Sequence, residues 1–145
     1  YTQKSKILAT QILRLLPQAP YTKIVDSKIS ELAKLAINDF LALKVIFANQ
    51  IYDLCQKLKI NYDELRAILE NEPRLGKTHF KVLYEGYRGF GGKCLPKELK
   101  ATLVLYKNKK LKADLFEIID KLNYNLLKKQ KLLKKLKQDW LNNKS

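Results

Sequence analysis

The chain has 145 residues and a formal net charge of +15, from 29 Lys and Arg against 14 Asp and Glu. That length allows one domain with a real core, and two cysteines and one histidine are too few for a disulfide framework or a structural zinc site. The positive balance suggests an anionic partner, such as a phosphorylated small molecule, a nucleic acid or a membrane surface, although lysine bias also serves solubility alone.

With only 5 Gly and 4 Pro among many Leu, Lys, Ile and Ala, the composition favours helix. No methionine occurs, not even at position 1, so a processed start or a piece of a longer chain is expected. Nothing reads as a signal peptide. The most apolar region, Leu32 to Leu58, is interrupted by Asp39, Lys44 and Asp53, so no membrane span is expected. A reducing cytoplasm is the simplest setting.

Residues 1–16 read as a helix, with Ile7, Leu8, Ile12, Leu15 and Leu16 at apolar spacing, broken by Pro17 and Pro20. Tyr21 to Val25 is a short strand-like run that looks like an edge torn from a sheet. Asp26 or Ser27 can cap the next helix. From Ile29 to about Lys59 no breaker occurs, and apolar residues cover most faces: Leu32, Leu35, Ala36, Phe40, Leu43, Phe47, Ile51, Leu54 and Leu58. Such a helix is buried, often against another subunit, and at roughly 45 Å it suggests a dimer spine. A short helix from Asn61 or Tyr62 to Glu70 follows, then an irregular loop from Asn71 to Leu95, a length usual for functional loops. Another helix starts at Pro96 and runs to about Tyr106. The last runs from about Ala113 to Trp140, with two heptad series, Leu115, Leu122, Lys129, Leu136 and Ile119, Leu126, Leu133, Trp140. Between positions 107 and 137 there are 11 Lys and 3 acidic residues.

Two stretches carry chemistry. Arg88-Gly89-Phe90-Gly91-Gly92-Lys93-Cys94-Leu95-Pro96-Lys97-Glu98 places three of the five glycines within four residues. Glycine allows positive φ and close approach of another molecule. Pro96 reads as the first helical position, so Cys94 falls just ahead of a helix N-terminus, where unpaired amides and the dipole favour a thiolate. The stretch reads as a loop that holds a ligand against a nucleophilic sulfur. The second is Glu31-Leu32-Ala33-Lys34-x-x-x-Asn38. Lys34 and Asn38 share a helix face, and a lysine buried in an apolar helix is a plausible proton donor or oxyanion stabiliser. The bland reading is a snorkelling lysine and an exposed Asn. His79 reads as an ordinary loop histidine and Cys55 as core.

GFGG-x-C-L-P-K-[DE] resembles the catalytic-cysteine segment of the UDP-glucose/GDP-mannose dehydrogenase family. E-L-x-K-x-x-x-N at the head of a long helix is similar to the same family, as are the second Asn at Asn49 and the loop Arg74-Leu75-Gly76-Lys77-Thr78-His79-Phe80-Lys81. Asp139-Trp140 fits a family ending. The resemblance implies a mainly α helical bundle organised on one long dimerising helix. It implies that residues 1–26 are the helix–strand remnant of an NAD-binding Rossmann domain. Residues 27–112 would be the central helical domain with the cysteine loop, and 113–145 a connecting helix toward a nucleotide-binding domain. The G-x-G-x-x-G fingerprint is absent.

What the resemblance implies for chemistry is oxidation of a nucleotide sugar's 6-hydroxyl to a carboxylate, with NAD used twice. UDP-glucose is the first expectation, GDP-mannose or a UDP-N-acetylhexosamine the alternatives. Cys94 would add to the aldehyde and pass through a thioester, Lys34 would stabilise the oxyanion, and Asn38 would orient it. Glu98, where the family usually has Asp, would help the catalytic water, its carboxylate moved by roughly 1.5 Å, a scale on which rates fall about 100-fold. Arg74 would reach the neighbouring subunit's substrate. Phe80, Lys81, Gly89, Phe90 and Gly91 would bind substrate, and Cys94 and Lys97 would border the cofactor. No metal is implied, and the fragment alone would be inactive. The rival readings are a helical interaction module that forms a homodimer through residues 29–59, and a binder of nucleic acid or acidic surfaces. Aromatics interleaved with the last helix's lysines are too few to favour that binder.

Overall fold

A computed structural model describes residues 2–136. It consists of α1 (Gln3–Leu13), α2 (Ser27–Leu58), α3 (Tyr62–Asn71), α4 (Cys94–Asn108) and α5 (Asp114–Lys129), with a ribbon of β1 (Leu83–Tyr84) and β2 (Tyr87–Arg88) between α3 and α4. The class is mainly α, as composition implied. The chain divides into two compact units, one reaching to Lys34 and one starting at Leu35, so the division falls within α2.

In the first unit, α1 starts on a capping box. The Ser5 amide donates to Thr2 Oγ1 at 3.2 Å and the Thr2 amide to Ser5 Oγ at 2.9 Å. None of its residues is buried. Tyr21 to Val25, expected as a strand, forms none. A strand needs a neighbour to share its backbone bonds, and among the described residues only β1 and β2 pair. Asp26 caps α2, its Oδ1 accepting the Lys28 amide at 2.9 Å.

In the second unit, α2 carries two apolar clusters. Ala42, Val45 and Ile46 pack with Phe90, Leu99 and Ile119. Ala48 and Cys55 pack with Tyr62, Phe80 and Val82. The first cluster thereby fixes the glycine stretch through Phe90, and the second fixes the segment ahead of the ribbon through Phe80 and Val82. Each such large side chain, fully buried, contributes on the order of 1.5–3 kcal/mol.

Three helices end in the same way. Lys59, Lys110 and Lys131 take left-handed φ values of 58, 55 and 60. The next amides, of Ile60, Leu111 and Leu132, donate to the carbonyls of Cys55, Tyr106 and Leu127 at 2.9, 2.9 and 3.0 Å. These are Schellman closures with lysine where glycine is usual. The last one corrects the expectation of one helix from Ala113 to Trp140: α5 stops at Lys129, and residues 133–136 are helical again beyond the turn. Asp139-Trp140 and the Trp140 end of the heptad series lie outside the described residues. The segment Asn71 to Leu95, expected as irregular, contains the ribbon. Leu83 pairs with Arg88 and Tyr84 with Tyr87, across Glu85 and Gly86 at φ 54 and 82, the signs of a type I′ turn.

Candidate active site

The glycine–cysteine stretch leaves β2 at Arg88 and enters α4 at Cys94. Arg88 anchors it to α2. Its Nε donates to Asn49 Oδ1 at 2.9 Å and its guanidinium to the Asn49 carbonyl at 3.2 Å. It also pairs with Asp53 at 2.7 Å and lies 4.8 Å from the Tyr52 ring centre. On the other side, α5 presents Asn123, and the residue that caps its C-terminus is Gln130. The Phe90 amide donates to Asn123 Oδ1, and Asn123 Nδ2 donates to the Phe90 carbonyl, both at 2.8 Å. The Arg88 amide donates to Gln130 Oε1, and Gln130 Nε2 donates to the Arg88 carbonyl, both at 2.9 Å. Gly89, at φ +91, is required here, because a Cβ would lie 2.7 Å from Asn123 Oδ1.

An open cavity of 640 Å³ lies in front of this stretch, lined by Gly89, Phe90, Gly91, Gly92, Lys93, Cys94 and Leu95, and across it by Lys77, Thr78, His79, Lys81, Tyr84 and Tyr87. Thus Cys94, Gly89, Phe90, Gly91 and Lys81, expected to serve a substrate, share one cavity. Cys94 is exposed and is the first residue of α4, whose cap residue Lys93 makes no side-chain bond to the first turn. The positive end of the helix dipole therefore lies beside the sulfur. Pro96 is the third helical residue, not the first. Arg66 also lines the cavity but is shared with Asp63 and Glu70 at 3.1 and 3.5 Å. The cationic character facing a ligand thus rests on Lys77, Lys81 and Lys93, set against the carboxylates of Glu85 and of Glu70, the latter shared with Arg66, on the same wall.

His79 lines the same cavity and takes φ 72. Its Nδ1 is buried with no hydrogen-bond partner among the described residues. Burial, and then the charge of Lys44, hold its pKa below the ordinary 6.5, so the imidazole resists protonation.

Lys34 is exposed, in the first unit. This corrects the expected burial: that part of α2 has no buried residue at all. The buried lysine is Lys44, which the sequence did not single out. Its Nζ donates to the carbonyls of Leu75 and Gly76 at 2.9 and 3.2 Å and lies 4.4 Å from the Phe80 ring centre. Burial lowers its pKa, against a smaller opposing effect of Glu70. Phe80, expected at the substrate, is instead a core residue, 2% exposed, because Lys44 and the second cluster cover it. Arg74 is exposed and paired with Glu72, Nε to Oε1 at 2.7 Å.

Asn38 is half-buried and its neighbour Asp39 buried. Asp39 Oδ2 accepts the Thr102 hydroxyl at 2.6 Å, while Oδ1 has no partner among the described residues. Burial raises the Asp39 pKa. The Thr102 bond opposes this, and the charge of Glu98 adds to it. Glu98 is buried one turn beyond Cys94 and pairs with Lys97 at 3.1 Å. Among the described residues no group of three or more His, Cys, Asp or Glu could hold a metal, and no helix is long and apolar enough to cross a membrane.

The profile of the UDP-glucose/GDP-mannose dehydrogenase family, central domain, matches residues 28–125. The UDP-glucose 6-dehydrogenase of Rickettsia typhi is 31% identical over 121 residues, which cover 83% of this chain and 27% of that protein. That of Rhizobium meliloti is 36% identical over 106 residues, covering 72% of this chain and 22% of that protein. The chain thus spans about a quarter of the length of the relatives it matches. The matched region holds α2, the cavity, the glycine–cysteine stretch and the start of α5, and on that agreement the chain belongs to the UDP-glucose/GDP-mannose dehydrogenase family, as its central domain.

Proposed function

We propose that the chain is the thiol-bearing part of a longer NAD-dependent nucleotide-sugar 6-dehydrogenase, with UDP-glucose as its substrate. The observation that carries this reading is an exposed cysteine at the N-terminus of α4, on the wall of a cavity lined by Lys77, Lys81 and Lys93. Those ammonium groups suit the diphosphate of a nucleotide sugar, and the open space beside Gly92, where a side chain would meet nothing within 4 Å, lets a hexose approach the backbone. The Phe90 amide is already given to Asn123, so sugar contacts in this reading fall to the remaining groups of Gly89 to Gly92.

The chemistry divides in two. Loss of hydride from C6 of the alcohol gives an aldehyde. The Cys94 sulfur then bonds to that carbon, and the aldehyde oxygen, as it gains charge, needs a donor. Loss of a second hydride gives a thioester. Water adds to it, the C–S bond breaks, and the carboxylate and thiol are released. NAD, when bound, would supply the acceptor for both hydrides. No glycine fingerprint of a dinucleotide fold occurs in this sequence, Lys97 is already paired with Glu98, and of Cys94 and Lys97 the cavity is lined by Cys94 alone. These residues do not by themselves fit NAD. Lys34 and Asn38 remain the proposed oxyanion partners and Glu98 the proposed water-directing acid, while Arg74, once freed from Glu72, would serve a neighbouring subunit.

The site reading is tested by alkylation in the full-length protein. UDP-glucose should protect Cys94 and leave buried Cys55 unaffected, whereas equal labelling with and without the nucleotide would contradict it. GDP-mannose and UDP-N-acetylglucosamine arms distinguish the sugars.

A homodimer through α2 belongs to the same proposal. Phe40, Phe47 and Leu54 recur every seven residues and are 57%, 45% and 53% exposed, a stripe of the kind a partner helix covers. Sedimentation should show a dimer that Phe47→Asp dissociates. A monomer in both forms would remove this part of the reading.

A further inference from the structure

The face that α5 turns to the glycine stretch is not purely apolar. Asn123 and Gln130 are seven residues apart, two turns along one face, with Leu126 and Leu127 between them. Each carboxamide meets both the amide and the carbonyl of one residue of the stretch, Phe90 or Arg88, in a closed pair of bonds as a neighbouring strand does, and Gln130 Nε2 also donates to the Leu126 carbonyl at 2.9 Å. Asn123 is 5% exposed. Its carboxamide has no other partner in these bonds, and a buried amide without one is costly. A Cβ on Gly89 would run into Asn123 Oδ1 at 2.7 Å, while Leu126 Cβ and Leu127 Cδ2 would lie at ordinary contact, 3.6 and 3.7 Å. The residues that line the cavity next, Gly91 to Cys94, follow directly from these two fixed points.

We infer that Asn123 and Gln130 are positioning residues that act as a surrogate strand, setting the register of the glycine stretch and hence the place of the Cys94 sulfur at the cavity edge. Neither carboxamide lines the cavity, so both act through the backbone of Arg88 and Phe90. The inference rests on the reading of Cys94 as the reacting sulfur. Two parallel bonds define a direction as well as a distance, and this separates the pair from ordinary packing. Alanine would leave the leucines of this face in place but release the backbone they lie on.

The test uses the folded chain with Gln130→Ala, and Asn123→Asp as a second variant that keeps the acceptor for Phe90 and loses the donor. Two quantities are read. One is amide hydrogen exchange of Arg88 and Phe90. The other is the ratio of Cys94 alkylation by iodoacetate to that by iodoacetamide, which reports how closely the sulfur is held to the lysines. In wild type both amides should exchange more slowly than exposed loop amides. Gln130→Ala should speed exchange at Arg88 by about tenfold and leave the amides of Ala42 to Ala48 unchanged. The anionic-to-neutral ratio should fall severalfold, while Gln130→Glu, which keeps the acceptor, should lose less. A merely structural role would change global stability and not this ratio. The inference is overturned by loop-like exchange of Arg88 and Phe90 in wild type, or by an unchanged ratio in Gln130→Ala. Failure of the Cys94 reading shows elsewhere, as undiminished oxidation by the full-length Cys94→Ala protein, and leaves the exchange data as they are.

Discussion

Residues 27–38 of α2 hold no buried side chain, whereas residues 39–55 hold all eight of the helix's buried ones. The first is less apolar, 6 residues of 12 against 12 of 17, yet its Ile29, Leu32, Leu35 and Ile37 could still supply a core face. What differs is what lies over them. Three of the eight buried residues are polar, and each ties down another segment: Asp39 holds Thr102 of α4, Lys44 holds the carbonyls of Leu75 and Gly76, and Asn49 holds Arg88. The second half of α2 therefore does more than fill a core. Its polar side chains dock the pieces from which the cavity is made. The two lysines illustrate this: Lys44 is buried because two carbonyls and an aromatic ring receive it, and Lys34 is exposed.

Truncation sharpens the contrast most. Leu99→Ala, at a fully buried position, should cost about 2–5 kcal/mol in urea unfolding, and Leu32→Ala, 62% exposed, less than about 0.5. Similar losses at both sites would erase the distinction. Next come the polar pins. Lys44→Met leaves two carbonyls without their donor and should cost roughly 1–3 kcal/mol, while Lys34→Met should stay within about 0.5. Gly89→Ala falls in a similar range, about 1–3 kcal/mol, from strain at φ +91 and the close approach to Asn123.

The smallest effect has the opposite sign. Burial raises the Asp39 pKa above 3.8, so the folded state holds this proton more tightly than the unfolded one. The resulting stability is present below 3.8 and is lost as pH rises through the folded value. Asp39→Asn, which still accepts the Thr102 hydroxyl, should therefore raise the thermal midpoint at pH 7, with the gain shrinking toward pH 4. A gain that grew on acidification would mean that Glu98 or Thr102 is misassigned. His79 works the other way: its lowered pKa makes stability rise with pH below 6.5, and His79→Asn, which suits its φ of 72, should flatten that rise.

The sequence made the long helix legible because no Gly or Pro interrupts it, and it made the glycine–cysteine stretch legible because its residue types are rare elsewhere in the chain. Helix ends were harder. Lys59, Lys110 and Lys131 close three helices without the glycine that usually marks such a stop, so α5 read as longer than it is. The β-ribbon turned on Glu85-Gly86, a pair with only one of the residues that signal a type I′ turn. Lys44, Asn123 and Gln130 were invisible as site-building residues because their partners are mostly backbone groups 31 to 42 residues away. Periodicity reports which face a residue occupies, not which carbonyl waits opposite. Asn123 and Gln130 interrupt no heptad, yet a polar pair seven apart beside an apolar series was a signal that could have been read.

If the Cys94 sulfur carries the second oxidation, as proposed, its removal should halve the yield of reduced cofactor. That role is tested most directly by counting NADH formed per UDP-glucose consumed, in the full-length protein and in its Cys94→Ala variant. Two per sugar are expected in wild type and no more than one in the variant, whose aldehyde has no sulfur to bond. Two per sugar in Cys94→Ala would contradict it.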